Sequence, residues 1–501
     1  MWDAIVVGAG LGGLLFGTRF ARSGKRVLIL EKCPHIGGTS YIFKRGKYYF
    51  PMGPLSFSFP GRVKTYLKEA IGEVEIEFMR NHFQLLTPFL NVVYSKPLRE
   101  LGNDLKRQFP EESVGINAFI GEMKRVISLM DSFGELQSNS TIGTRKDVLD
   151  SGSESETYEI PREYSDAIAR EFLDARINNP SLRNLLGSQG TSSPEMSMLN
   201  LSFMWNVMSE EGIWFPSCGI HGISDLLVNA FTRYGGELRL SSPVKRILVE
   251  DRSVVGVLTE RNELLKANWV VSNADHKKTF LELIDPTNVP LDYLHLIKTT
   301  PYTDSELCVY LGVNPKKVDL TRMKANHLFY RREINPAKSQ DPEDFDNQEI
   351  EICLWSDNAP DSVPRGRVSL ILRVSFPYEH FAGWRTGEKQ RKEGYREYKK
   401  QLAERLIQTV ENALPGLSSS IEMMEIATPL TYEDWGNRFQ GSIAGWTWSA
   451  EAAHSLPGRF LIETPVEHLL MVGIFAASRL FLGGVPTSMH TATLASSYSQ
   501  G

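Results

Sequence analysis

Ala4-Ile5-Val6-Val7-Gly8-Ala9-Gly10-Leu11-Gly12-Gly13 is the stretch whose reading decides the fold. Its four apolar residues suit a buried parallel strand. The glycines then run into Leu14-Leu15-Phe16-Gly17-Thr18-Arg19-Phe20-Ala21, which has helical periodicity. Gly24 ends that helix, and Arg26-Val27-Leu28-Ile29-Leu30 supplies a second strand closed by Glu31. The acid falls about twenty residues after the glycines, where a dinucleotide fingerprint requires it. Gly8 permits a tight turn, Gly10 lets backbone approach a diphosphate, and Gly13 allows close packing of helix on strand. The helix N-terminus, which includes Leu11 and Gly12, offers unpaired N–H groups and a positive dipole end. Glu31 can accept hydrogen bonds from both ribose hydroxyls and would repel a 2′-phosphate. The expectation is an ADP-binding βαβ unit.

A second glycine pair follows in Lys32-Cys33-Pro34-His35-Ile36-Gly37-Gly38-Thr39. This resembles flavoproteins with two dinucleotide-binding domains, in which a glycine pair after the ribose acid contacts FAD. The likeness continues along the chain. Phe215-Pro216-Ser217-Cys218-Gly219-Ile220-His221-Gly222-Ile223 leads to Leu226-Leu227, and Ser241-Ser242-Pro243-Val244 leads to Ser272-Asn273-Ala274-Asp275. Ser305-Glu306-Leu307-Cys308-Val309-Tyr310-Leu311-Gly312-Val313, Gly441 to Gly445, and Thr464 to Gly473 with Gly483-Gly484-Val485-Pro486 complete it. Together these resemble the carotenoid desaturase, carotenoid isomerase and retinol saturase-like group within the amine-oxidase-like flavoproteins.

The resemblance implies FAD contacts from Gly8, Gly10, Leu11, Gly12, Gly13, Glu31, Lys32, Gly37, Gly38, Thr39, Asn273, Ala274, Gly473, Gly484 and Val485. It also implies that the backbone of Val244 meets adenine. Three departures stand out. Cys218 replaces an expected glycine, and Gly473-Ile474-Phe475-Ala476-Ala477-Ser478 carries no acid for the ribityl hydroxyls, so backbone groups must serve there. Arg479 stands where a small Pro-Gly pair is common.

Motifs for one cofactor at both ends and in the middle imply interleaved domains in an α/β fold. A Rossmann-type FAD-binding domain is expected over 1–75, 215–290 and 455–501, with a substrate domain of mixed sheet and helices over 76–214 and 291–454. Alternation at 244 to 249 and 254 to 258 predicts a hairpin, and Trp269-Val270-Val271 a buried strand. Residues 388–412 read as an amphipathic helix with Leu402, Leu406 and Val410 inward. Residues 138–157 read as a polar exposed loop. Leu199 to Met208 with Ile213-Trp214-Phe215 is rich in Met and aromatic residues, read first as core and alternatively as the wall of an apolar substrate channel. His221 is the candidate catalytic base, in a glycine-rich turn; His490, Glu210 and Glu211 are weaker candidates.

Composition narrows the partners. The chain has 501 residues, 42% hydrophobic and 23% charged, with net charge −5, which offers no basic field for nucleic acid. Lys389 to Lys392 and Tyr398 to Lys400 read as solvated faces, with contact at a membrane surface as the alternative. Cys33, Cys218, Cys308 and Cys353 form no CxxC pair, so no metal is expected and a reducing, cytoplasmic setting is. The resemblance implies an FAD-dependent oxidoreductase that desaturates an apolar polyene, isoprenoid or lipid-like substrate by hydride transfer to flavin N5. Alternatives are a redox-neutral isomerase or saturase using reduced FAD, and an amine oxidase, for which Trp446 and Trp448 would supply aromatics.

Overall fold

The computed structural model describes residues 1–139, 164, 167–188, 196–333, 341–447, 456, 461–478 and 483–499. Trp2–Val7 forms the opening strand and Leu11–Arg22 the helix after it. Both flanking strands run parallel to the first, Val27–Leu30 on one side and Leu264–Ser272 on the other. Glu237–Arg239 extends the sheet beyond Val27–Leu30, and Leu469–Met471 joins Leu264–Ser272, again in parallel. The buried apolar run at 4–7 belongs at the centre of such a sheet, where both faces are covered. The expected hairpin is present as Val244–Glu250 and Ser253–Thr259, which pairs antiparallel with the first half of Leu264–Ser272.

A second seven-stranded sheet has the order Ile421–Ala427, Ser305–Val313, Val368–Phe376, Ile350–Leu354, His327–Tyr330, Phe83–Leu86, Asn91–Val93. All nine residues of Ser305–Val313 are buried. One face, with Leu307, Val309, Leu311, Leu370 and Leu372, packs on Leu402, Leu406 and Val410 of the helix Tyr395–Glu411. The opposite face carries Glu306, Cys308 and Tyr310, because side chains alternate along a strand.

Contacts divide the chain into two compact units, cut differently from the expected domains. Both sheets fall in one unit, within Met1–Val93, Ile213–Thr447 and the described part of 452–501. The described part of Tyr94–Gly212 belongs to the other and is built from helices, including Ser113–Asn139 and Met198–Trp205. There Trp205 is fully buried against Phe119 and Tyr94 and donates from Nε1 to the Leu186 carbonyl at 3.0 Å. The segment rich in Met and aromatics is therefore core in its helical part.

Three local expectations change. The helix expected over 388–412 starts at Tyr395, after a hairpin of Arg385–Gly387 and Gln390–Arg391. Gly394, at φ 83°, interrupts the helical pattern, and Arg385 and Arg391 are tied to Asp434. His221 lies in the first turn of the helix Gly219–Arg233, not in a loop. Ser138 and Asn139 end the helix Ser113–Asn139, and the rest of the expected loop at 138–157, like Trp448 and Arg479, lies outside the described residues. No helix among the described residues is long and apolar enough to cross a membrane.

Candidate functional site

The parallel strands of the first sheet finish level with one another, Val7 beside Leu30 and Ser272, and Ser272 beside Met471. The residues that follow, Gly8, Glu31, Asn273 and Gly473, line a cavity of about 1210 Å³. Ligands of open α/β sheets bind at this edge, outside the carboxyl ends of the strands. Two helices also begin there. Leu11–Arg22 starts after Gly10 and Gly484–Tyr498 after Gly483, and neither has a side-chain cap. Their first N–H groups have no intrahelical partner, so both positive ends are turned to one space.

Asn273 is wedged into the glycine loop. A Cβ at Gly10 would stand 2.7 Å from Asn273 Nδ2, and one at Gly12 or Gly473 would stand 2.6 Å from Asn273 Oδ1. Gly10 and Gly12 are thus required by Asn273, and not only by a diphosphate approaching the backbone. Gly8 turns at φ +101° and Gly13 abuts the Gly8 carbonyl, as tight-turn and close-packing roles demand. The Asn273 carboxamide makes no hydrogen bond among the described residues and lines the cavity. Glu31 accepts from Ala9 N–H at 2.7 Å and Cys33 N–H at 2.8 Å, which fixes its carboxylate at the strand end.

Buried polar groups tie the remaining walls to this edge. Asp275 accepts from the N–H groups of Lys277 (2.9 Å) and Phe439 (2.8 Å) and from Tyr302 Oη (2.9 Å). Burial pushes its carboxyl above the ordinary range, while those donors pull it back. Arg438 donates to Thr39 Oγ1 at 3.0 Å and to the Ile443 carbonyl at 2.5 Å, joining the segment after Gly436 to the second glycine pair. The Phe475 carbonyl receives Trp446 Nε1 at 3.0 Å and faces His276 Nδ1 at 3.2 Å. Burial pushes His276 down to about 3, so it is a neutral imidazole whose Nδ1–H donates to Phe475 and whose Nε2 accepts from Tyr293 Oη. These contacts hold Gly473 to Phe475 in place without the acid that the sequence lacks there.

The cavity also carries separated charge. Lys32 and Lys278 both donate to Asn437 Oδ1, at 2.9 and 3.0 Å. Burial, then the Lys278 charge, lower the Lys32 ammonium from its ordinary range. An anion beside this pair would relieve the repulsion. On the second sheet, Glu306 and Arg373 line the cavity with Tyr432, which donates to Glu306 Oε1.

Of the residues expected at a cofactor, Gly8, Gly10, Leu11, Gly12, Glu31, Lys32, Gly37, Gly38, Thr39, Val244, Asn273, Ala274, Gly473, Gly484 and Val485 all line this cavity, and only Gly13 does not. His221 is not among its lining residues. It stands behind Gly37, where a Cβ would meet its Nδ1 at 3.1 Å, with its edge on Tyr41 and Nε2 3.7 Å from Asp225. That placement supports Gly37 and gives His221 no contact with the cavity. His490 bonds Tyr66 Oη at 2.9 Å, and Glu210 accepts from Leu98 N–H at 3.0 Å. Asp275, His276, Arg438, Glu306, Arg373 and Tyr432 were missed. Asp275 alone had a visible signal, its place directly after Asn273-Ala274. Among the described residues no cluster suits a metal ion.

A model of the NAD(P)-binding Rossmann-like domain matches residues 6–70. Prolycopene isomerase of Daucus carota is 28% identical over 88% of this chain and 71% of its own length. All-trans-retinol 13,14-reductase of Danio rerio is 25% identical over 94% and 82%, and the zeta-carotene-forming phytoene desaturase of Myxococcus xanthus 25% over 87% and 82%. A solved putrescine oxidase variant shares the fold, at 13% identity with TM-score 0.64 over 100% of this chain and 98% of its own. Fold and site define an FAD-dependent oxidoreductase with a Rossmann-type cofactor domain. Over most of its length the chain is similar to carotenoid isomerases, carotenoid desaturases and retinol reductases.

Two outcomes are expected. Gly10→Ala should destabilise the protein by about 1–3 kcal/mol, because its Cβ would press on Asn273. Adding Asn273→Ala should restore stability in urea while FAD affinity stays low, since the space beside Gly10 must also admit the cofactor; recovery of both would leave Asn273 as the sole reason for Gly10. Because the folded pKa of His276 lies below its unfolded value, the unfolded chain takes up the proton first as pH falls below about 6.5. Stability present at neutral pH should thus be lost by about 2 kcal/mol at pH 5. Urea midpoints of the native protein and His276→Gln between pH 7 and pH 5 should show the steeper fall in the native protein.

Proposed function

We propose that the protein uses FAD to dehydrogenate an apolar polyene, isoprenoid or other lipid-like substrate. The observation that carries this reading is a site of flavoprotein type in a chain whose relatives act on such molecules. Prolycopene isomerase, retinol reductase and phytoene desaturase each align over most of the chain, and their names share only isoprenoid polyenes. Putrescine oxidase is alike in fold alone, which gives an amine substrate no support.

In this reading the first sheet and its helices hold the cofactor, within 1–75, 215–290 and 455–501, and the second sheet with its helix provides the substrate side. Glu31 takes the ribose hydroxyls and the backbone of Val244 faces adenine. The N-terminus of Leu11–Arg22, with Lys32 and Lys278, holds the diphosphate. Gly37, Gly38, Thr39, Asn273 and Ala274 border the middle of the cofactor. Gly473, Gly484 and Val485 close on the flavin end, where the uncapped helix at Gly484 stabilises negative charge. When bound, FAD supplies a hydride acceptor at N5. The chain's own contribution is to orient that ring and to exclude water from it.

The redox-neutral reading has a specific observation in its favour, the identity with a carrot isomerase over 88% of the chain. Anaerobic mixing of the FAD-loaded protein with phytoene, zeta-carotene and prolycopene separates the two. Bleaching of the flavin bands, with a desaturated product in stoichiometric amount, is expected for the dehydrogenase. Isomerised product after prior reduction of the flavin, with no bleaching beforehand, would replace it by the isomerase. Neither change with any of the three would remove the polyene assignment.

A further inference from the structure

The face of the second sheet that carries Cys308 and Tyr310 also bears a row of charged side chains across four strands. Arg373 stands in register with Cys308 on one neighbouring strand and with Glu351 on the other, and His327 lies one strand further out, opposite Cys353. The His327 Nδ1–H donates to Glu351 Oε1 at 2.9 Å, Glu351 Oε2 lies 4.0 Å from Arg373 Nη1, and Arg373 Nε lies 3.5 Å from Glu306 Oε1. The His327 ring stacks on Phe83 at 4.9 Å, and its Nε2 lies 3.2 Å from Asn81 Nδ2, so the far end of the row is fixed. Burial opposes a charge on Arg373, but Glu306 and Glu351 hold its pKa well above the ordinary guanidinium value. Arg373 is thus a buried cation with a carboxylate on either side.

The guanidinium has a third partner, outside the sheet. Its Nη2 donates to the Gly53 carbonyl at 2.5 Å. Gly53 belongs to the turn Met52-Gly53-Pro54, which follows the hairpin of Ile42–Arg45 and Tyr48–Pro51. The Met52 N–H bonds back to the Tyr41 carbonyl at 2.9 Å, and Pro54 has no N–H to offer. The turn packs on the residue after the second glycine pair: a Cβ on Gly53 would stand 2.6 Å from the Thr39 carbonyl oxygen. Thr39, Met52, Gly53 and Pro54 all line the cofactor cavity, as does Arg373, whereas Glu351 and His327 do not. One charge-assisted hydrogen bond therefore joins a turn of the cofactor wall to a row whose far half lies outside it.

We propose that Arg373 is a positioning residue for the cofactor: it clamps the Met52–Pro54 turn against Thr39, and Glu351, braced by His327, sets the direction of the guanidinium from outside the cavity. The clamp makes FAD retention depend on side chains of the second sheet that do not line the cofactor cavity. It is independent of the substrate, so this proposal and the polyene reading stand or fall separately. Arginine suits the task because one rigid, planar fork serves a carbonyl and two carboxylates at once, whereas lysine offers a single mobile ammonium for all three.

The test uses the full chain as Arg373→Lys and as Glu351→Gln, the second of which keeps the shape of a side chain outside the cavity. Amide hydrogen exchange is followed by mass spectrometry of peptides, and FAD affinity by flavin fluorescence. Exchange is measured with and without FAD, so that loosening cannot be a consequence of cofactor loss. In both variants exchange is expected to rise in peptides covering 38–54 and to keep its native level over Ser305–Val313 and Val368–Phe376. The FAD dissociation constant should rise about 10-fold or more in Arg373→Lys and about threefold in Glu351→Gln. Exchange that rises in the two strands while 38–54 keeps its native protection would mean that Arg373 only balances charge within its sheet, and would overturn the clamp. So would FAD affinity within about twofold of native in folded Arg373→Lys. Native exchange and native affinity in Glu351→Gln would overturn the role given to Glu351 and His327. If Arg373→Lys fails to fold, Glu351→Gln decides: looser 38–54 with weaker FAD supports the clamp, and native behaviour in both overturns it.

Discussion

The parallel strands of the first sheet end in register, and Asn273 fits among Gly8, Gly10, Gly12, Gly13 and Gly473 at that edge; the site depends on this arrangement. Each strand delivers a different resource at the same level: a turn at Gly8, an acid at Glu31, a carboxamide at Asn273 and a glycine at Gly473. No single residue makes the cavity. It exists because hydrogen-bonded register places residues that are hundreds of positions apart beside one another. The missing Cβ atoms at Gly10, Gly12 and Gly473 are what admit Asn273 so close to the backbone.

Around this edge the protein uses buried polar anchors in place of further sheet. Asp275 reaches the segment at Phe439, Arg438 reaches Thr39, and His276 with Trp446 grips the turn at Phe475. Each anchor satisfies a backbone or hydroxyl group that would otherwise be buried without a partner. The short segment Gly473 to Ala476 shows the effect most plainly. It lacks an acid for the ribityl chain, and its conformation is held from behind by an uncharged imidazole and an indole N–H. Two uncapped helix starts and a lysine pair complete an environment suited to a dianionic cofactor.

Much of this was legible along the chain because the signals were local. The apolar run at 4–7, the glycine spacing and Glu31 lie within one βαβ unit, and the hairpin at 244–259 shows in its alternation. Positions carried by family likeness, such as Asn273 and Gly484, meet at the same cavity. The row His327, Glu351, Arg373 and Glu306 was illegible, because its spacing exists only across strands and no local pattern distinguishes a buried carboxylate from a solvated one. His221 looked functional for the opposite reason: its glycine neighbours suggested a loop, whereas Gly219 starts a helix that turns the imidazole behind Gly37. Gly394 was decisive at 388–412, where a charged, amphipathic pattern hid a hairpin before the helix.

The most direct test of the account is a titration of the protein, stripped of flavin, with FAD, FMN and NAD, followed by flavin fluorescence and calorimetry. The cavity at the strand ends predicts about one FAD per chain, with FMN bound far more weakly because it lacks the ADP half that Glu31 and the first glycine loop address. Equal affinity for FMN, or saturation by NAD with none by FAD, would contradict the assignment of this edge as the FAD site.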